Sequence, residues 1–211
     1  MGFRKATLPA ADESVAFERT VDELASMLDH ADADARRRAA LDLGLQRAAA
    51  RHLVSRLANE ADTAVREAIL TSLTQIGDVV SVDGLVACLR SEDAALRNEA
   101  IDVMKTVPDL VAPMMDGLLA DADPDLRILA INLLESLRHP KVEEWLLEVI
   151  RKDAHLNVCA TATDLLSEVG TEAAVEPLAA LKKRFPDEPY IVFAADIALK
   201  RLAPGADRRP R

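Results

Sequence analysis

Three observations predict an all-α fold, a right-handed α-solenoid of about six antiparallel helix pairs. An Asp-x-x-aliphatic-Arg beat recurs as Asp62-Thr63-Ala64-Val65-Arg66, Asp93-Ala94-Ala95-Leu96-Arg97 and Asp123-Pro124-Asp125-Leu126-Arg127. Weaker copies at Asp32-Ala33-Asp34-Ala35-Arg36, Asp153-Ala154-His155-Leu156-Asn157 and Asp187-Glu188-Pro189-Tyr190 bring the steps to 30, 31, 30, 30 and 34 residues. Such a period marks units that bury their apolar faces only against neighbours. Ala and Leu dominate an apolar half that holds only six aromatics, which favours close-packed helices over sheets. Helical patterning then runs almost unbroken from Ser14.

Taken in order, residues 1–13 lack helical period and are expected to form a flexible arm, and 14–202 form the solenoid. First helices are predicted near 14–29, 46–58, 79–90, 109–120, 140–152 and 171–185. Second helices are predicted near 33–44, 62–76, 93–106, 124–138, 154–169 and 188–202. Residues 203–211 are expected to be a basic, disordered tail. Asp62, Asp93 and Asp123 sit where second helices begin, able to accept bonds from backbone N–H groups without a helical partner and to meet the positive end of the helix dipole. Pro124 follows at the first helical position, where a missing N–H costs nothing. Val65, Leu96, Leu126 and Leu156 open the buried stripes, which continue at helical spacing through Ile69, Leu73 and Ile76 or Ala100, Met104 and Val107. Gly77 and Gly170 are expected to end helices in the left-handed conformation.

This beat, with a late Leu or Ile-Gly, resembles the HEAT-repeat family, and the period near 30 is similar to the short bacterial repeats of phycobilisome lyases. The resemblance spans about 15–202, is strongest over 60–138, and fades where Ala35 and Asn157 replace the aliphatic and the Arg. It implies that second helices line a concave surface. It also implies a structural ladder in which Arg66, Arg97 and Arg127 pair with aspartates such as Asp62, Asp93 and Asp123 of the same or a neighbouring unit; an arginine row binding an anion is the other reading.

Charge and motifs narrow the function classes. Residues 60–135 carry fifteen acids against five bases, which repels phosphate backbones and argues against nucleic acid. Residues 31–56 reverse the balance, with six arginines against three acids. Both stretches suit a solvated helix surface or, alternatively, a docking face with a basic neighbour. No apolar run reaches the ~18 residues of a membrane span, and the first residues lack the apolar stretch of a secretory signal and the Ser or Thr of a myristoylation signal. Cys88 and Cys159 lie 71 residues apart, without disulfide or metal spacing, so two buried thiols in a reducing cytoplasm are expected.

Candidate chemistry is sparse. His30, His52, His139 and His155 include no pair at helical metal spacing and none is followed by Glu, as in the iron-binding HEAT-like hydroxylases. The lone Trp145 and Tyr190 are far apart, unlike the aromatic-lined groove of the HEAT-like DNA glycosylases. No Gly-x-Ser-x-Gly and no phosphate-cradling loop occurs, and Asp121-Ala122-Asp123-Pro124-Asp125 lacks the Gly and distal Glu of a calcium loop. The expected function is a non-enzymatic, cytoplasmic scaffold or adaptor that binds a protein partner without metal or cofactor, in a bacterial signalling or assembly complex. The alternative is an enzyme or enzyme subunit of the chromophore-lyase type, which bound pigment would reveal. The expected binding band is Glu67, Thr71, Gln75, Asn98, Asp102, Lys105, Asn132, Glu135 and Ser136, with Thr74 and Thr106 beside it. Phe185, Tyr190 and Phe193 form a second candidate, either as docking aromatics or as a cap on the stack, beside Lys182-Lys183-Arg184.

Overall fold

The computed structural model describes residues 19–202, so the N-terminal arm (1–13), the start of the first helix at 14–18 and the basic tail (203–211) lie outside the described residues. Six helix pairs follow one another: α1 (Val21–Met27) with α2 (Ala33–Gly44), α3 (Ala50–Leu57) with α4 (Thr63–Ile76), and α5 (Val79–Cys88) with α6 (Ala94–Lys105). The fourth pairs α7 (Pro108–Val111) and α8 (Met115–Leu119) with α9 (Pro124–Leu134); then come α10 (Val142–Lys152) with α11 (Leu156–Val169), and α12 (Val175–Arg184) with α13 (Pro189–Leu202). This is the all-α solenoid that the beat predicts.

The caps explain where helices begin. Thr20 and Glu23 form a reciprocal capping box on α1, each side chain accepting the other's backbone N–H. Asp32, Asp62, Asp93 and Asp123 cap α2, α4, α6 and α9 by accepting N–H bonds two or three residues on. The fifth copy departs from its predicted register: α11 is capped at His155, and Asp153 lies two residues earlier, accepting the His155 N–H at 2.8 Å.

Helix ends hold further corrections. The predicted helix near 109–120 is broken, with a 3-10 turn at Ala112–Met114 between α7 and α8. Pro113 supplies no N–H there and its ring crowds the preceding turn. Gly77 closes α4 at φ 60°, in the left-handed region as expected. Gly170 does not, since its φ of −68° and ψ of 160° are extended. Its glycine is required by space: a Cβ would lie 2.5 Å from the Leu166 carbonyl oxygen.

One core runs through every unit, from Leu24 and Leu43 through Ile69, Leu85 and Met104 to Leu126, Leu146, Leu166 and Leu178. Full burial of each such side chain contributes roughly 1.5–3 kcal/mol. The two helix rows are packed unequally. Neighbouring second helices touch more extensively than neighbouring first helices. At α2–α4 the approach is so close that a Cβ on Gly44 would lie 2.7 Å from Ser72 Oγ, whose hydroxyl donates to the Ala40 carbonyl at 2.9 Å. Clefts open between first helices at α1–α3 and at α8–α10, and in the second-helix row at α9–α11. The closer contacts of the second-helix row fit its place as the inner, concave row that the family resemblance implies.

Candidate docking face and its ion-pair ladder

The repeat arginines hold the turns and link the units. Arg36, Arg97 and Arg127 each donate back to the carbonyl six residues earlier, that of His30, Ser91 and Asp121. Three of the four arginines also reach the next unit. Arg36 grips Glu60 through Nε at 2.8 Å and Nη2 at 3.0 Å. Arg66 meets Asp93 at 2.8 Å and Glu99 at 3.0 Å. Arg127 grips Asp153 through Nε at 2.7 Å and Nη2 at 3.0 Å. Two-pronged pairs of this kind fix geometry as well as charge.

Arg97 corrects the expected ladder. Among the described residues it has no carboxylate partner, and the link to the fourth unit is made by Arg90 with Asp121. Asp62 and Asp123 serve as caps, so of the expected aspartates only Asp93 receives a repeat arginine. Three further acids that take arginines, Glu60, Asp121 and Asp153, each lie two residues before a cap and accept that cap's backbone N–H. An acid-Ala-cap triplet in the sequence marks all three. In the shifted fifth register Cys159 occupies the arginine position, and its thiol donates to the Asp153 carbonyl, again six residues back. Arg184 arrives from α12 to donate to the Arg151 and Asp153 carbonyls, at 2.8 Å each.

Electrostatics follow from these contacts. Burial pushes the Glu60 carboxyl up, but bonds from Arg36, from the Asp62 N–H and from Arg56 outweigh it and hold the group at about 2. The Asp123 N–H, against the effect of burial and helped by Arg90, holds Asp121 below the usual carboxylate range. Burial, with Glu99 nearby, pushes the Cys88 thiol up to about 11.

The expected binding band lies on the second helices. Glu67, Thr71, Gln75, Asn98, Asp102, Asn132, Glu135 and Ser136 are exposed, while Lys105 is half-buried. Between α9 and α11 the face deepens into a groove of about 280 Å³. Its floor holds Ile131 and Leu165, and its rim Asn132, Glu135, Thr161, Asp164 and Glu168. Sequence reasoning named Asn132 and Glu135 but missed Thr161, Asp164 and Glu168. The signal was the helical step from Asn157 to Thr161, Asp164 and Glu168, hidden by the shifted fifth register.

The C-terminal aromatics divide. Tyr190 and Phe193 are exposed, the Tyr190 hydroxyl donating to Asp164 at 2.8 Å on the groove's far rim. Phe185 is half-buried against the core with the Arg184 guanidinium 4.8 Å from its ring centre, so it belongs to the cap of the stack. Lys182 pairs with Asp196.

A cleft of about 560 Å³ lies between α8 and α10 and is lined by Asp116, Asp121, Arg127, Trp145, Lys152 and Asp153 among others. Its polar groups bind one another: Trp145 donates to Asp116, Arg127 to Asp153 and Lys152 to Glu148. No group of three or more metal-binding side chains occurs among the described residues, and no described helix is long and apolar enough to cross a membrane.

A family model described as HEAT repeats matches residues 21–105 and 111–200. No curated protein matches the chain. Among solved structures, the archaeal HEAT-like repeats protein from Thermococcus onnurineus NA1 is 16% identical, with a TM-score of 0.42 over 86% of this chain and 86% of that one. The complex of CpcE and CpcF of phycocyanin lyase from Nostoc sp. PCC7120 is 18% identical, with a TM-score of 0.37 over 94% of this chain and 100% of that one. An engineered protein is 17% identical, with a TM-score of 0.39 over 86% of this chain and 96% of its own. None of these likenesses bears on activity. With the family model spanning most of its length, the chain belongs to the family of HEAT repeats.

Proposed function

We propose that the chain is a non-enzymatic scaffold or adaptor that holds a protein partner against its second-helix face. The observation that carries this reading is the groove between α9 and α11. Apolar Ile131 and Leu165 form its floor, and Glu135, Asp164 and Glu168 stand on its rim. None of these three carboxylates has an ion-pair partner among the described residues. A partner segment that carries Lys or Arg and sets an aliphatic side chain into the groove would satisfy both parts of it. Rim charges of this kind chiefly speed and orient association, while the apolar contact holds the complex.

The test is affinity capture from the source cells, comparing the natural chain with an Asp102→Arg/Glu135→Arg variant and a Glu135→Arg/Asp164→Arg variant. A protein retained by the natural chain and lost by both variants, at unchanged thermal stability, is the expected result. Equal retention by all three chains would overturn the choice of surface. A bound pigment or stoichiometric iron in the purified protein would replace the scaffold reading with the lyase-type or metal-enzyme one.

A further inference from the structure

We infer that the stack bends at a single hinge between its third and fourth units, at residues 105–110, which divides the concave face into two more rigid halves. This holds whether or not the α9–α11 groove is the partner's seat. Three features of the chain meet at this junction.

The first is packing within the second-helix row. The α6–α9 contact is the thinnest of the five contacts between consecutive second helices, whereas α2–α4 and α11–α13 are the most extensive. The second is the outer row. Pro108 and Pro113 reduce the first helix of the fourth unit to a four-residue turn, a 3-10 turn and the five residues of α8. That fragmented element makes at most a grazing contact with α5, so the outer row resists bending weakly there.

The third is the ladder. Arg36, Arg66 and Arg127 each reach a carboxylate of the following unit, but Arg97 turns back to the Ser91 carbonyl in its own. The ion pair that spans the junction is Arg90–Asp121. The Arg90 side chain is 48% exposed, against 12%, 9% and 14% for the three repeat arginines that span the first, second and fourth junctions. A single contact from a half-exposed arginine is weak and salt-sensitive, so it is released more easily than the two-pronged grips of Arg36 and Arg127. Hinges form where a few residues at element ends absorb the change of angle while the packed bodies on either side move whole.

Opening this joint moves Asn98 and Asp102 on the near half relative to Asn132 and Glu135 on the far half. The concave face then adapts its width to what it binds.

Spin-label distance distributions test the inference. Labels two units apart are placed within the first half (Arg37→Cys with Asn98→Cys), across the junction (Asn98→Cys with Asn157→Cys) and within the second half (Asn132→Cys with Lys200→Cys). All five positions are exposed, while native Cys88 and Cys159 are buried. The cross-junction distribution is expected to be about twofold wider than either in-half distribution. Arg90→Ala should widen it further and Pro113→Ala should narrow it, with both in-half pairs unmoved. Three equally narrow distributions would overturn the hinge, and so would widening by Arg90→Ala that appears equally in all three pairs.

Discussion

Replacing Glu60 by Gln tests the ladder where it is most buried. The Glu60 side chain is 1% exposed and lies between Arg36, 12% exposed, and Arg56, 21% exposed. It accepts from Arg36 at 2.8 and 3.0 Å, from Arg56 at 2.7 and 3.0 Å and from the Asp62 N–H at 2.9 Å. Gln keeps the shape and one acceptor but removes the charge, leaving two guanidiniums face to face. A carboxylate held at about 2 rather than 4.5 corresponds to about 3 kcal/mol of folding free energy. That is close to the 3–5 kcal/mol expected when one partner of a buried pair is removed. The direction with pH follows from a folded value below the unfolded one. The stabilisation is complete above 4.5, the unfolded value, and is lost as pH falls through about 2, where the natural chain and the variant converge. Urea unfolding followed by circular dichroism across that window measures both quantities. A loss under ~1 kcal/mol near neutral pH, the size of an exposed pair, would refute the reasoning, as would a difference that stays constant down to acid pH.

Other consequences are as specific. Gly44→Ala places a Cβ 2.7 Å from Ser72 Oγ and 3.1 Å from its Cα, so overpacking of about 1–3 kcal/mol should outweigh the ~1 kcal/mol gain in helix propensity and lower the melting temperature; an unchanged or raised melt would contradict it. Arg127→Ala, which strips Asp153 of a two-pronged partner, should cost about 3 kcal/mol, while Arg97→Ala, which loses a bond to one carbonyl, should cost about 1; equal losses in denaturation would dissolve the distinction between tie and turn. Cys88 and Cys159 are buried, and burial raises both thiols above their ordinary range, so thiol reagents should modify neither in the native protein and both after unfolding; rapid labelling of the folded chain would contradict their burial.

The order and spacing of the helices were legible because each is announced locally. An aspartate at the start, an aliphatic stripe at helical step and a glycine or proline at the end need no knowledge of neighbours. Asp62, Asp93 and Asp123 cap as their spacing predicts. The pairing of the ladder was less legible, because it depends on how far one turn lies from the next. Ser91 offers no carboxylate two residues before its cap, so Arg66 reaches Asp93 and Glu99 instead. Asp153 looked like a worn cap and is the seat of Arg127; the two-residue slip also concealed Asp164 and Glu168 as groove residues. Gly170 shows that a glycine at a helix end can serve close approach instead of left-handed backbone.

Site-specific photocrosslinking in the source cells confronts the docking face most directly. A photoreactive residue replaces Asn132 on the groove rim or, as control, Glu144 on the exposed side of the first-helix row. One discrete protein adduct from position 132, absent from position 144 and diminished by Asp164→Arg, is the predicted result. No adduct from 132, or an adduct from 144 alone, would place the partner elsewhere and remove the groove from the function.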